Sequence, residues 1–443
     1  MSRAPRTSAR DIPLTALARG ARLAALPLGF AGRTALGLGK RLAGHSAEAL
    51  AAEVQRRTGD HLFRVLGELK GGAMKFGQML SVFEAALPTE ALGPYRAALT
   101  LLQDSAPALS AATVHTVLAA ELGEDWRERF ESFEDEPAAA ASIGQVHRAL
   151  WADGRPVAVK IQYPGAGQAL LGDYDRLGRA VTLFSTVAPG LDAQPMLDEL
   201  RERVGEELDY RLEAAAQQAF ADAYRTGREV AVPEVVAFTE RVLVTEWLEG
   251  TPLSAVIRDG SQEERDAAGL AYTRFLLSGP ERAGHLHADA HPGNFRILPD
   301  GRLGVLDFGA VKRLPDGFPP ALGALVRLAM AEDWEGARGL LADEGFVRPG
   351  APLDTETLRS FLRPLAGPSM APSHRFTRQW LRGEVTQAAL AHRRSLLRSI
   401  NLPPEYVLVN RVVGSAIAVL SQLDCEVPFQ AEALRWLPAP ADR

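Results

Sequence analysis

The chain has 443 residues, of which 47% are hydrophobic and 23% charged, and its net charge is −6. This composition is typical of a soluble globular protein long enough for two or three domains. The single cysteine, Cys425, excludes an internal disulfide and fits a reducing compartment. We therefore expect a cytoplasmic protein. It could also attach peripherally to the inner face of a membrane through its N-terminal segment.

Residues 1–45 carry eight Lys or Arg against one acid, Asp11, and their first part is rich in Arg, Ser and Pro. We expect a basic, partly disordered segment. Residues 14–43 could lie on an anionic membrane surface as an amphipathic helix, or pack on the protein with their arginines in water. The start lacks the apolar core of a secretory signal, so none is expected. Residues 407–420 are too short for a transmembrane helix and predict a buried one.

Helical periodicity resumes at residue 46 and predicts a helical extension that reaches residue 130. It contains the motif K-x-G-Q, with Lys75 and Gln78 three positions apart and therefore on one helical face. A polar face in an apolar setting indicates a site, although a solvated helix edge has the same pattern.

An alanine- and serine-rich stretch at residues 137–148 is followed by Asp153 and Gly154, a dipeptide typical of hairpin turns. The next run is V-A-V-K and ends at Lys160, like the kinase strand that carries the phosphate-binding lysine. Kinases place a glycine-rich loop before that strand. The alanine-rich loop would still offer backbone N–H groups to phosphates, but alanine tolerates positive φ poorly.

The periodicity of residues 195–225 predicts one long helix, with Leu212 in its apolar stripe and Glu207 at the stripe's edge, where a buried lysine could reach it. The elements expected after it are strands at 232–238 and 241–248, a hinge at Glu249 and Gly250, a helix at 263–277, short strands at 295–298 and 303–306, and helices to the end.

The spacing H-x-D-x-x-x-x-N at His287, Asp289 and Asn294, with D-F-G thirteen residues beyond Asn294 at Asp307, matches the catalytic loop and metal loop of protein kinases. One carboxylate would orient a nucleophile. A second carboxylate and an amide would hold Mg²⁺, which prefers oxygen ligands.

Together these motifs resemble the AarF/UbiB family of atypical, protein-kinase-like proteins over residues 63–310. The resemblance implies an α+β, bilobal kinase-like fold with an N-terminal helical extension, and binding of ATP and Mg²⁺ between the lobes. The expected divisions are residues 1–45, the extension at 46–130, an N-lobe at 131–250 and a C-lobe at 251–443.

Carried over to this sequence, the resemblance implies that Lys160 pairs with the α- and β-phosphates. Asp307 and Asn294 would hold the metal, and Asp289 would occupy the base position. The backbone from Glu246 to Leu248 would meet the adenine.

The resemblance also implies roles for the segments around the cleft. Glu207 and Asp209, the E-x-D motif, would face the K-x-G-Q segment, from which Lys75 and Gln78 would reach into the cleft. Glu213 could join this acidic group. The residues expected to cover the phosphates are Ala139, Ala140, Ala141 and Ser142.

Two departures from ordinary kinases bear on function. His291 stands where they have the catalytic-loop lysine, and no A-P-E segment follows Gly309 to seat a peptide. We therefore expect an ATPase or a kinase of a small or lipid-like molecule, linked by resemblance to isoprenoid quinone metabolism. A protein kinase and a nucleotide-binding scaffold remain alternatives. Nucleic-acid binding is disfavoured, because the basic segment is short and the rest of the chain is acidic.

Overall fold

The computed structural model describes residues 109–439, apart from positions 142, 166, 168–207, 349–353, 400 and 402. All of them except Gly165 and Gly167 belong to one compact unit. The expectations for residues 1–45, for the K-x-G-Q motif and for Glu207 and Ser142 lie outside the described residues.

A five-stranded antiparallel sheet forms the N-terminal part of this unit. Its strands are ordered β1-β2-β3-β6-β5. Their bounds are Phe130–Ala141 for β1, Gly144–Trp151 for β2, Pro156–Gln162 for β3, Val235–Phe238 for β5 and Val242–Glu246 for β6.

The turn between β2 and β3 forms where the Asp-Gly dipeptide predicted it. Gly154 has φ +83°, which favours glycine, and the Asp153 carboxylate accepts the Arg155 N–H at 3.1 Å. The sheet packs on helix α1, Ala111–Leu122, through a core that includes Val114, Leu118 and Val159. Helix α1, which the sequence assigned to the extension ending at residue 130, thus shares its core with the sheet.

Helix α2, Tyr210–Tyr224, connects the sheet to the larger C-terminal core. One continuous helix was predicted over residues 195–225, and this is wrong because the helix that ends at Tyr224 starts only at Tyr210. Asp209 has extended backbone angles and its carboxylate accepts the Arg211 N–H, so it caps a helix that starts at Tyr210. The prediction that Leu212 lies in the buried apolar stripe is also wrong, since its side chain is 53% exposed while Glu213 is buried.

A four-stranded sheet, β4-β10-β9-β7, lies in the C-terminal part. The strand predicted at 232–238 forms only as β5, Val235–Phe238, which pairs with β6. A separate short strand just before it, Val230–Ala231 (β4), pairs with Leu303–Val305 (β10). The other strands are Thr251–Pro252 (β7), His285–His287 (β8), Phe295–Ile297 (β9), Leu303–Val305 (β10), Val311–Arg313 (β11), His374–Arg375 (β12) and Glu426–Val427 (β13).

Helices make up the rest of the C-terminal part. Helix α4, Gln262–Ala283, begins with a capping box, in which Ser261 and Glu264 each accept the other's backbone N–H. The helices are Leu253–Asp259 (α3), Gln262–Ala283 (α4), Pro320–Met330 (α5), Trp334–Asp343 (α6), Thr355–Ala366 (α7), Arg378–Ser399 (α8), Pro404–Leu423 (α9) and Phe429–Trp436 (α10).

Helix α9 contains the stretch for which a buried helix was predicted. Residues Glu405–Leu423 are long and apolar enough to cross a membrane by length and composition, but 56% of that window is buried inside the protein. Val419 and Leu420 belong to the same core as Phe275 of α4 and Phe308. This burial is typical of a core helix in a globular domain.

Candidate active site

A cleft of about 260 Å³ lies between the five-stranded sheet and the loops of the C-terminal part. It brings together Lys160, Asp289, Asn294 and Asp307, which are up to 147 positions apart in the chain. The other lining residues are Ala140, Ala141, Ile143, Val146, Tyr210, Glu213, His291, Gly293, Leu306, Gly309 and Ala310.

Lys160 projects into the cleft from β3. Its ammonium donates to both carboxylate oxygens of Glu213, at 2.7 and 2.9 Å, and to Asp307 Oδ2 at 3.0 Å. Burial works against the charged amine, but the two carboxylates outweigh it and raise the pKa of Lys160 well above its ordinary value. The lysine is therefore a fixed positive charge at neutral pH.

Glu213 is the carboxylate that positions this lysine from helix α2. Its side chain is only 5% exposed, and it also accepts a hydrogen bond from the Phe308 backbone N–H. Burial raises the pKa of Glu213, while Lys160 and that backbone donor favour its ionised form. Because the helix starts at Tyr210, residues 213, 217 and 220 face inward, which a helix running from residue 195 did not predict.

The D-F-G segment holds Asp307 in a defined orientation. Asp307 Oδ1 accepts the Gly309 N–H at 2.9 Å, and its backbone carbonyl lies 2.7 Å from Nε2 of His287. A carbonyl only accepts, so His287 carries its proton on Nε2. Burial lowers the pKa of His287 and keeps the ring neutral. Phe308 packs on Phe220, with ring centroids 5.1 Å apart.

The segment from His287 to Asn294 is held by hydrogen bonds between its side chains and its backbone. Asp289 Oδ1 accepts the His291 N–H at 3.3 Å, and the Asp289 carbonyl accepts from the Asn294 amide nitrogen at 3.3 Å. The Asn294 carbonyl in turn accepts the Leu306 N–H at 2.9 Å, next to Asp307. This chain of hydrogen bonds ties the base position and both predicted metal ligands together.

The donor set of this cleft fits Mg²⁺. Asn294 uses its amide nitrogen internally, which directs its side-chain oxygen away from that bond. Within the described ranges no group of three or more His, Cys, Asp or Glu could hold a metal by itself. Magnesium in nucleotide sites takes one or two protein oxygens plus phosphate oxygens, and Asp307 with Asn294 supplies that number.

The alanine-rich segment is a strand rather than the predicted loop. Ala139, Ala140 and Ala141 of β1 pair with Val146, Gln145 and Gly144 of β2. Ala140 and Ala141 line the cleft, while Ala139 lies in the ladder outside the lining. A Cβ atom on Gly144 would collide with the carbonyl oxygen of Ile161, so this hairpin end packs directly on β3.

Three other predicted residues lie outside the lining of this cleft. Asp209 caps helix α2 and forms an ion pair with Arg211 at 2.8 Å. Glu246 ends β6, and its Oε2 accepts the Glu234 N–H at 3.1 Å. Leu248 packs near Gly304 of β10. The adenine contact predicted for the backbone of residues 246–248 stays a prediction.

Tyr210 and Ile143 line the cleft but were not among the predicted site residues. Tyr210 follows Asp209 directly, and its ring centroid lies 5.1 Å from Nζ of Lys160. The inward spacing of positions 210, 213 and 217 could have indicated Tyr210, had the start of the helix been known.

The ABC1 atypical kinase-like domain matches residues 101–340, which is more than half of the chain. The chain belongs to the ABC1 atypical kinase-like family. The resemblance drawn from the sequence motifs and the kinase-like fold of mixed helices and sheets are therefore confirmed. The ABC1 match covers the sheet, helix α2 and both loops of the cleft.

Individual relatives agree with this assignment. The chain is 32% identical to the atypical kinase coq-8, mitochondrial, of Caenorhabditis elegans over 69% of this chain and 42% of the relative. It is 33% identical to the chloroplastic protein ACTIVITY OF BC1 COMPLEX KINASE 3 of Arabidopsis thaliana over 64% of this chain and 41% of the relative. The chain thus spans less than half the length of both of these curated relatives.

A solved structure is similar over a larger share of the chain. The complex of Rv3197 with erythromycin from Mycobacterium tuberculosis is 45% identical, with a TM-score of 0.70, and the match covers 90% of this chain and 100% of that one. This likeness extends the family assignment beyond the residues that the ABC1 domain matches.

Proposed function

We propose that this ABC1 protein binds ATP with Mg²⁺ in the cleft and transfers or hydrolyses its γ-phosphoryl group. The observation that carries the proposal is the bridge from Lys160 to Glu213 and Asp307, in the cleft that Asp289 and Asn294 also line. A buried lysine fixed by a helix carboxylate, opposite a metal-binding aspartate, is the arrangement that phosphoryl transfer from ATP requires.

Each side chain has a distinct role in this proposal. Lys160 would leave Asp307 and hold the α- and β-phosphates, while Glu213 keeps the amine in place. Asp307 and Asn294 would hold magnesium, which supplies charge neutralisation on the phosphate oxygens. His291, neutral because burial lowers its pKa, adds no positive charge where ordinary kinases have a lysine.

In the reaction, an acceptor oxygen forms a bond to the γ-phosphorus as the bond to the β–γ bridging oxygen breaks. ADP leaves with the electron pair of that bond. The acceptor's proton passes to the Asp289 carboxylate, which lines the same cleft as Asp307. With water as acceptor the product is inorganic phosphate, and with an alcohol it is a phosphate ester.

The acceptor we propose is water or a small, lipid-like molecule, with isoprenoid quinone metabolism as the setting. After Gly309 the chain enters β11, which pairs with β8, and helix α5 begins at Pro320. This short connection leaves little backbone to seat a peptide. The basic residues 1–45 support a membrane setting by charge.

The remaining predicted residues keep their proposed roles. Lys75 and Gln78 would reach the cleft, with Glu207 and Asp209 facing their segment, and Ser142 would cover the phosphates together with the alanines. For adenine we propose the backbone of Glu246 and Leu248. Trp247 between them already donates its N–H to the Pro156 carbonyl, at 3.0 Å.

Replacement of Asp307 by Asn tests the nucleotide site. We expect Mg-ATP affinity in calorimetry to fall by at least about 100-fold, because the variant removes a charge from both the metal site and the lysine. Asp300→Asn is the matched control, since Asp300 lies in an exposed turn paired with Arg302. Undiminished Mg-ATP affinity of the Asp307 variant would refute the assignment.

The acceptor is tested by ATP turnover of the purified full chain, alone and with anionic liposomes or quinone head-group analogues. A lipid-like acceptor predicts faster ADP release together with a phosphorylated product in mass spectra. Faster release of free phosphate without such a product would indicate an ATPase stimulated by the membrane or the analogue.

A further inference from the structure

Tyr210 occupies an unusual place at the junction of the sheet, helix α2 and the cleft. It is the first residue of α2, its side chain is 1% exposed, and it lines the cleft beside Glu213. Nζ of Lys160 lies 5.1 Å from the centroid of its ring. The aromatic ring thus faces the lysine amine.

The hydroxyl of Tyr210 is buried without a hydrogen-bond partner in the part of the chain that the structure describes. It lies under the hairpin end, where a Cβ atom on Gly144 would come within 3.1 Å of the oxygen. Buried hydroxyl groups almost always have partners, and leaving one unpaired destabilises a protein. An unpaired hydroxyl on a residue that lines a cleft is therefore a candidate ligand donor.

The surroundings of this hydroxyl define what it would bind. Burial raises the pKa of Tyr210, and the carboxylates of Glu213 and Asp307 add to this against the opposing effect of Lys160, so the phenol stays protonated at physiological pH and can donate. The amine of Lys160 lies over the same ring. A ligand oxygen that accepts from both donors binds more strongly when it is anionic, which favours a phosphoryl oxygen over a neutral ring or sugar oxygen.

We propose that Tyr210 is a phosphate-positioning residue whose hydroxyl donates a hydrogen bond to a phosphoryl oxygen of the nucleotide held by Lys160. This inference rests on the proposed function and deepens it. The hydroxyl would make the cleft selective for phosphorylated nucleotides over the nucleoside, and would link phosphate binding to the hairpin end at Gly144. The free protein keeps the donor unpaired until the phosphate arrives.

The Tyr210→Phe variant removes only the oxygen atom. We expect its affinity for Mg-ATP and Mg-ADP in calorimetry to fall by about 10-fold, the size of one hydrogen bond to a charged acceptor. Affinity for adenosine should be unchanged. The Tm of the nucleotide-free variant should equal or exceed that of the wild type, because the variant buries no unpaired hydroxyl.

Tyr224→Phe is the matched control on the same helix. Its hydroxyl lies 2.5 Å from Ser278 Oγ, so its loss should lower the Tm and leave every nucleotide affinity unchanged. Wild-type affinities for Mg-ATP and Mg-ADP in the Tyr210 variant would overturn the role of Tyr210, as would an equal loss for adenosine. If the wild-type protein itself binds no Mg-ATP, the proposed function fails, and this inference fails with it.

Discussion

The two sides of the cleft hold their functional groups in different ways. On the loop side, hydrogen bonds to the loop backbone fix the geometry: the Tyr272 hydroxyl donates to the Ala290 carbonyl at 2.8 Å, and the Ala288 N–H donates to the Ala310 carbonyl at 2.9 Å. On the sheet side, the ladder positions the backbone of Lys160, while its amine is held by side chains: ion pairs to Glu213 and Asp307, with the Tyr210 ring centroid 5.1 Å away.

This difference shows that folding alone fixes the loop side of the site more firmly than the sheet side. The loops rest on an aromatic core that includes Phe275, Phe295 and Phe308, so their geometry exists before any ligand binds. The lysine depends on one carboxylate from one helix, and one of its two partners is a predicted metal ligand. Replacing the base residue on the loop side should therefore remove a chemical step, while replacing the carboxylate that positions the lysine on the sheet side should weaken nucleotide binding.

The largest effect is expected on the loop side, from Asp289→Asn. Turnover of ATP should fall by about 10²- to 10⁴-fold, because the variant cannot accept the acceptor's proton. Mg-ATP affinity should stay within a few-fold, since the amide oxygen of the new side chain can still accept the His291 N–H. Steady-state kinetics and calorimetry on the same samples measure both. Full turnover in this variant would contradict the base role and break the contrast between the two sides.

A smaller effect is expected on the sheet side, from Glu213→Gln. Lys160 would keep only Asp307 as a charged partner, and we expect Mg-ATP affinity to fall by about 10- to 100-fold through the loss of a charge-assisted hydrogen bond. Calorimetry measures the affinity, and turnover at saturating ATP should change less than in Asp289→Asn.

Glu432→Gln is the matched control for this variant. Glu432 is as buried as Glu213, and its carboxylate lies 2.7 Å from Nε of Arg274, outside the cleft lining. Both variants should lower the Tm, but only the Glu213 variant should lose nucleotide affinity. An equal affinity in the two variants would show that Glu213 does not position the lysine for nucleotide.

The smallest effect concerns His147, which supports the hairpin end on the sheet side. Its Nδ1–H donates to the Glu134 carbonyl, and its Nε2 accepts from the Gln145 amide at 2.8 Å. Burial lowers the pKa of His147, and this outweighs the Glu134 carbonyl and the nearby carboxylates of Asp135 and Glu136, which raise it. The unfolded chain therefore binds this proton more readily than the folded protein does.

Because folding lowers the pKa of His147, its contribution to the free energy of unfolding is complete above the ordinary histidine pKa of about 6.5 and declines as the pH falls below it. Each unit of pKa difference between the folded and unfolded states is worth about 1.4 kcal/mol. Urea unfolding between about pH 5 and 8 should show the wild type's advantage over His147→Gln shrinking at acid pH. A pH-independent difference between the two proteins would contradict this account.

Much of the fold was predictable from local pattern. The hairpin at Gly154, the strands at Phe295–Ile297 and Leu303–Val305 and the helix Gln262–Ala283 follow from turn chemistry and hydrophobic periodicity. The start of the helix that ends at Tyr224 could not be predicted in this way. An aspartate at position 209 is compatible with a helix interior and with a helix cap, and only the structure shows that the helix starts after it.

The sequence alone was enough to identify the family and to name Lys160, Asp289, Asn294 and Asp307, which the structure places in one cleft, because motif spacing and the chemistry of lysine, carboxylate and amide groups are local properties. Only the tertiary structure shows that Glu213 pairs with Lys160, that the alanine-rich segment is a strand, and that Tyr210, whose hydroxyl is unpaired among the described residues, lines the cleft. These features depend on how the strands pair and on which face helix α2 turns toward the sheet. Both are set by packing between residues distant in the chain, which no local pattern encodes.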